Sequence, residues 1–143
     1  MKIFIDTSAL IKLYFNEEDT SKLDRFFAEN IITEIFISEL TKIEFSSAIY
    51  KKIRTNNLKL QNANDILDAF AADENKYHFI LIGREIINES QKLIEKYGIK
   101  GLRSLDAIQL SSACIVKNLV DFAISGDKLL NEFLIAEQIQ ILV

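Results

Sequence analysis

Four carboxylates stand out by their settings: Asp6 in "KIFIDTSAL", Glu44 in "ELTKIEFSSA", Asp106 in "GLRSLDAIQL" and Asp127 in "DFAISGDKLL". Asp6 ends a run suited to a buried strand, and Asp127 falls two residues after "DFAIS", a second such run. Glu44 lies about two turns into the helix that follows "EIFIS", and Asp106 in the first turn of a helix after "GLRS". In a parallel α/β sheet the carboxyl ends of the strands and the N-termini of the following helices share one edge, where ligands bind. The four acids then border one crevice, although they come from segments far apart in sequence.

Singly, each acid also has a structural use. Asp6 and Asp127 suit N-caps, Asp106 suits the positive end of a helix capped by Ser104, and Thr41 with Glu44 makes a capping box. The box fits least well, because "SEL" already starts that helix and Thr41 comes a turn late. Convergence changes the balance. Two carboxylates about 5 Å apart repel by about 3 kcal/mol at an effective dielectric near 20, so four together need neutralising. Protonation is one answer; a divalent cation suits groups near helix termini and open to solvent better. An all-oxygen set without imidazole or thiolate selects Mg2+ or Mn2+ over zinc.

The remaining chemistry is sparse. Cys114 is the single cysteine, without a disulfide or thiolate-metal partner, and its apolar neighbours describe a buried thiol. His78, the single histidine, reads as a strand-edge residue, and no glycine-framed Ser or Cys nucleophile accompanies it. Seventeen basic and 21 acidic residues give a net charge of −4, which argues against a broad electrostatic surface for nucleic acid but leaves local contacts open. Hydrophobic residues make up 49% of the chain, enough for a core, and no apolar run approaches the roughly 18 residues of a membrane span. Without a signal-peptide or lipidation pattern, the expected location is the cytoplasm.

The elements that must position the acids follow from periodicity. "KIFI" at 2–5 predicts a strand buried on both faces, followed by helices near 7–15 and 20–30. "EIFIS" at 34–38 predicts a second strand, entering a long helix to about 56. Further helices are expected over 59–76, 83–97 and 104–118, with "FILI" before the second of these as strand or loop. "DFAIS" at 121–125 is a strand, "GDKLLNEF" a short helix and "QIQILV" a last strand. The chain has no proline and four glycines, so nothing marks a linker, and residues 1–143 read as one domain. Strands alternating with helices imply an α/β fold with a mostly parallel central sheet and helices on both faces.

The strings "IDTSALIKLY", "ELTKIEFSSA", "LRSLDAIQLSSA" and "FAISGDKLL", in this order and spacing, resemble the PIN-domain ribonucleases, in particular the VapC-type toxins of bacterial and archaeal toxin–antitoxin pairs. The similarity spans nearly the whole chain. It implies a PIN-like fold and an endoribonuclease that hydrolyses RNA phosphodiester bonds with one or two Mg2+ or Mn2+ ions. By the resemblance Asp6, Glu44, Asp106 and Asp127 are the catalytic, metal-holding acids, and Ser125 matches the hydroxyl residue before the last of them. Thr7 and Ser8 stand where they help hold Asp6 and a bound phosphate, or simply initiate a helix. Lys12 and Arg103, close in sequence to Asp6 and Asp106, are candidates for RNA phosphates, with solvated surface charge as the alternative. "YKKIR" at 50–54 reads either as an RNA rim or as a favourable helix C-terminus, the latter preferred. Gln109 stands where many relatives carry His, which bears on substrate preference more than on the metal ligands. The family further implies a small antitoxin that covers the site, and a homodimer; the aromatics of "LIKLYF" and "LDRFFAEN" would suit a partner surface.

Two other classes compete. A Mg-binding phosphoacceptor switch wants paired acids after the first strand, where this chain has Thr7 and Ser8; an Asp-x-Asp phosphatase fails for the same reason. A non-catalytic α/β interaction module, whose acids only cap helices, is separated from the nuclease by its indifference to metal.

Overall fold

Ile3 and Ile5 are fully buried and Phe4 nearly so, which makes β1 (Lys2–Ile5) an interior strand covered on both faces. The computed structural model describes residues 1–142. β2 (Glu34–Ser38), β3 (Tyr77–Ile80) and β4 (Phe122–Ile124) join β1 in a four-stranded, wholly parallel sheet of order β3-β2-β1-β4. Ile3 pairs with Ile35 on one side and with Phe122 on the other, fixing the register of the two ladders that β1 makes. The chain thus leaves β1, builds outward through β2 and β3, then returns to the opposite side as β4. Strand order reverses between β1 and β4, and the crevice at their carboxyl ends is a topological switch point.

Period-two alternation divides the core in two. Ile3, Ile5, Ile37 and Ile124 face α1 (Thr7–Leu10), α2 (Thr20–Glu29), α3 (Leu40–Arg54) and α4 (Leu60–Ala72), where Leu10, Phe45, Ile49 and Phe70 complete the packing. Phe4 and Ala123 face α5 (Arg84–Tyr97), α6 (Ser104–Ile115) and α7 (Lys128–Ala136), against Leu93, Leu110, Leu130 and Phe133. A fully buried Ile, Leu or Phe contributes about 1.5–3 kcal/mol, so each layer is strongly held to the sheet. The expected α/β architecture with helices on both faces is the one observed. Among the described residues no helix is long and apolar enough to cross a membrane.

Several boundaries differ from the expected ones. The first helix is α-helical only over Thr7–Leu10 and tightens to a 3-10 turn at Ile11–Leu13. The helix expected over 59–76 stops at Ala72, and a 3-10 turn at Glu74–Lys76 feeds β3. Tyr77 opens that strand because its hydroxyl meets the Tyr14 hydroxyl, which in turn donates to Asp73. The apolar run "FILI" starts two residues after the strand does, since His78 lies on the exposed edge, stacked on Phe36. α6 ends at Ile115, not 118. "QIQILV" supplies only an isolated parallel bridge, Ile141 to Ala123, and Val143 lies outside the described residues. Gly101 joins α5 to α6 with φ of 104°, a conformation that a side chain rarely adopts.

Candidate active site

Asp6 follows β1 directly and caps α1: its Oδ1 accepts the Ala9 backbone N–H at 3.0 Å. Ser125, at the end of β4, donates its hydroxyl to Asp6 Oδ2 at 2.7 Å, and Ser8 donates to the same carboxylate at 2.8 Å. Ser8 Oγ accepts the Gly126 N–H, and Ser125 Oγ accepts the Asp127 N–H. The two hydroxyls therefore tie the ends of β1 and β4 together through one carboxylate. Asp6 is only 4% exposed, and burial, the largest effect, together with the Asp127 charge pushes its pKa up to about 6 against the hydrogen bonds that lower it. Ser8 Oγ lies 2.8 Å from Oδ1 and 2.9 Å from Oδ2, sharing its one proton between them, so with Ala9 and Ser125 each Asp6 oxygen has two contacts.

Asp127 caps α7, accepting the Leu130 N–H on Oδ1 at 3.0 Å. Asp106 sits in the first turn of α6 without a capping bond; Arg103, not Ser104, is the N-cap residue of that helix. Burial raises the Asp106 pKa, Asp127 adds to the rise by repulsion, and Arg103 opposes it. Asp127 thus lies within electrostatic reach of both Asp6 and Asp106, and these three acids form one charge-coupled group.

Glu44 reaches the site from α3 by another route. Thr7, next in sequence to Asp6, donates to Glu44 Oε1 at 2.8 Å and also faces Thr41 at 3.0 Å. Gln109 is 3% exposed and its amide donates to the same Glu44 oxygen at 2.7 Å, with Thr7 and Thr41 within 3.2 Å. Thr41 is thereby a fully buried member of this network and no helix cap, so the capping-box reading does not hold. Glu44 Oε2 accepts no hydrogen bond from the described residues and is its open oxygen. Gln109 Oε1 is buried without a partner, because turning the amide to satisfy it would set an oxygen against the carboxylate.

The four acids are gathered at one edge but do not close a cage. No three of the His, Cys, Asp and Glu side chains among the described residues are placed to enclose an ion directly. The reason is local: Asp6 and Asp127 are both turned back onto their own helices as caps. Direct ligation by one or two carboxylates with water completing the shell is the habit of Mg2+, and the wholly oxygen donor set fits such an ion.

Of the basic residues, Arg103 stands near Asp106, and Lys12 extends its Nζ to the Gly126 backbone beside Ser8. Lys52 of "YKKIR" is instead paired with Glu17 and lies over the Phe15 ring. Cys114 is partly buried with its pKa pushed up to about 12, chiefly by burial, as an inert thiol requires. Phe26 and Phe27 pack edge to face and both lie partly buried against the core, so neither is a free aromatic. Asn131 was invisible to motif reading, yet its Nδ2 donates to the Ser125 carbonyl at 3.1 Å and braces the β4 end.

The chain belongs to the PIN domain family, whose model matches residues 3–132. Solved structures with a similar fold include VapBC2 from Rickettsia felis bound to a DNA fragment from its promoter, 16% identical over 99% of this chain and 98% of that one, with a TM-score of 0.65. VapC20 from Mycobacterium tuberculosis, described as a sarcin-ricin loop cleaving toxin, is 13% identical over 92% and 94% of the two chains, with a TM-score of 0.70. FitAcB from Neisseria gonorrhoeae is 10% identical over 99% and 96%, with a TM-score of 0.73. At these identities the likeness is one of fold. No curated protein matches the chain in sequence.

Proposed function

We propose that this chain is a divalent-metal-dependent endoribonuclease, a toxin of the VapC type that acts on RNA in the cytoplasm and is restrained by a small antitoxin. The observation that carries the reading is the gathering of Asp6, Asp106 and Asp127 at the switch point of a PIN fold, where the Asp127 charge bears on both of the others and Arg103 opposes it only at Asp106. Similar folds occur in VapBC complexes and in a toxin described as cleaving the sarcin-ricin loop, which supports both the RNA substrate and the antitoxin. A homodimer belongs to the same reading.

When bound, Mg2+ or Mn2+ supplies Lewis-acid activation of water and charge for the leaving oxygen. The residues that would hold it are Asp6, Asp106, Asp127 and Glu44 through its Oε2. Ser8 and Ser125 fix the Asp6 carboxylate by hydrogen bonds and hold it where it cannot rotate away. Thr7 and Gln109 fix Glu44 through its inner oxygen and leave the outer one to work. Arg103 offers a cation to an RNA phosphate beside Asp106. The protein furnishes no nucleophile of its own: the Ser8 and Ser125 protons are committed to Asp6, and Cys114 is remote in protonation from any reactive state.

The test is thermal stability across a Mn2+ titration, beside Asp106→Asn. At about 100 times its dissociation constant the ion stabilises the wild type by roughly 2.7 kcal/mol, and the variant does not respond. Wild-type indifference at millimolar Mn2+ would return the acids to capping alone.

A further inference from the structure

Next to Asp6 a cleft of about 270 Å³ opens between the 3-10 turn after α1, α2 and α7, and three lysines line it: Lys12, Lys22 and Lys128. In a chain of net charge −4 this is a local inversion of sign, and Asp19 is the one acid in its wall. None of the three lysines forms an ion pair among the described residues. Lys12 is drawn to the inner end. A Cβ on Gly126 would lie 3.1 Å from its Nζ and 3.4 Å from Ser8 Oγ, so the ammonium rests against bare backbone beside the hydroxyls that hold Asp6. The floor is apolar, made by Leu23, Ile124 and Leu142, and the wall nearest the acids is Ser125, Gly126 and Asn131.

We propose that this cleft is a nucleotide subsite: the lysines bind the phosphate adjoining the one at the carboxylates, and the apolar floor takes the base. The identity of the strand as RNA rests on the nuclease reading above. A backbone with one negative charge per nucleotide cannot lie against three coupled carboxylates without compensation close by. With one phosphate at Asp6, Asp106 and Asp127, the strand's next charge is carried to the flank of Asp6 that these lysines line. A base has an apolar face that such a floor accepts without selecting sequence. An acidic peptide would use the lysines but leave the floor bare.

Lys22 and Lys128 are both exposed, so reversing their charge spares the core. The measurement is fluorescence anisotropy of a short fluorescein-labelled oligouridylate in EDTA, where nothing is cut, over a range of salt. Lys22→Glu and Lys128→Glu each weaken binding about tenfold or more at low salt and lower the slope of log K against log salt by about 1. Wild-type affinity and slope in both variants overturn the subsite. So does unchanged RNA binding with lost binding of polyglutamate, which would make the cleft a seat for an acidic peptide. The Mn2+ titration separates the two claims. Normal metal stabilisation with inert lysines removes the subsite alone, whereas lysine-dependent RNA binding without any metal response removes the nuclease alone.

Discussion

Asp6 shows how one residue can be both cap and candidate ligand. Its folded pKa, about 6 against an ordinary 3.8, means that the native state holds the proton more tightly than the unfolded chain does. Stability in the absence of metal is therefore greatest below pH 4 as far as this group is concerned, and it declines as pH rises from about 4 to 6, by an amount on the order of 3 kcal/mol. Denaturant midpoints across that window, measured for wild type and Asp6→Asn in EDTA, should converge at low pH, and the variant should lack the decline. A matching decline in the variant would assign it to other groups. Gln109 makes a second residue-scale prediction. Gln109→Leu removes the donor that pins Glu44 and should cost about 1–3 kcal/mol in urea unfolding, while a smaller loss would mean that Thr7 suffices. The sequence placed Gln109 a turn beyond Asp106 and could not say whether it met the site. Only the approach of α6 to α3 over the end of the sheet decides that, and such an approach leaves no trace in local periodicity.

For the elements, the test case is the N-terminus of α7. Asn caps a helix about as well as Asp does, so Asp127→Asn should leave melting temperature nearly unchanged in EDTA yet lose stabilisation by Mn2+. Asp127→Ala should lose about 1 kcal/mol even without metal. Equal metal responses in wild type and Asp127→Asn would confine Asp127 to capping. The strands and most helices were legible because burial on two faces leaves a continuous apolar run and helices leave a 3.6-residue stripe. The acids at their ends were legible as cap positions for the same reason. What was not legible is instructive. β3 begins at Tyr77, earlier than its apolar run, because a Tyr14–Tyr77–Asp73 hydroxyl contact across elements anchors it. Nor was it legible that Asp6 and Asp127 bond back onto their own helices while Glu44 is fixed beside Asp6 through Thr7 and Gln109. Asn131 carried no motif at all.

On the scale of the molecule, two cores share one sheet, with Phe4 on one face and Phe45 on the other. Two of the three ladders run through β1, whose alternate residues feed both layers, so the layers should unfold together as one unit. Phe45→Ala should cost about 3–5 kcal/mol and shift far-ultraviolet dichroism and tyrosine fluorescence, which Tyr14 and Tyr97 report from opposite faces, to the same new midpoint. Separate midpoints would mean two cooperative units. The bond from Ser125 to Asp6 spans 119 residues of chain and has a consequence for the timing of synthesis. Asp6 is translated 119 residues before its partner hydroxyl and the strand that carries it. At about 5–20 residues per second the site stays unassembled for several seconds or more while the rest of the chain is made. On the proposed nuclease reading, a nascent chain cuts no RNA until Ser125 has emerged, and an inhibitor made alongside it has that interval in which to accumulate.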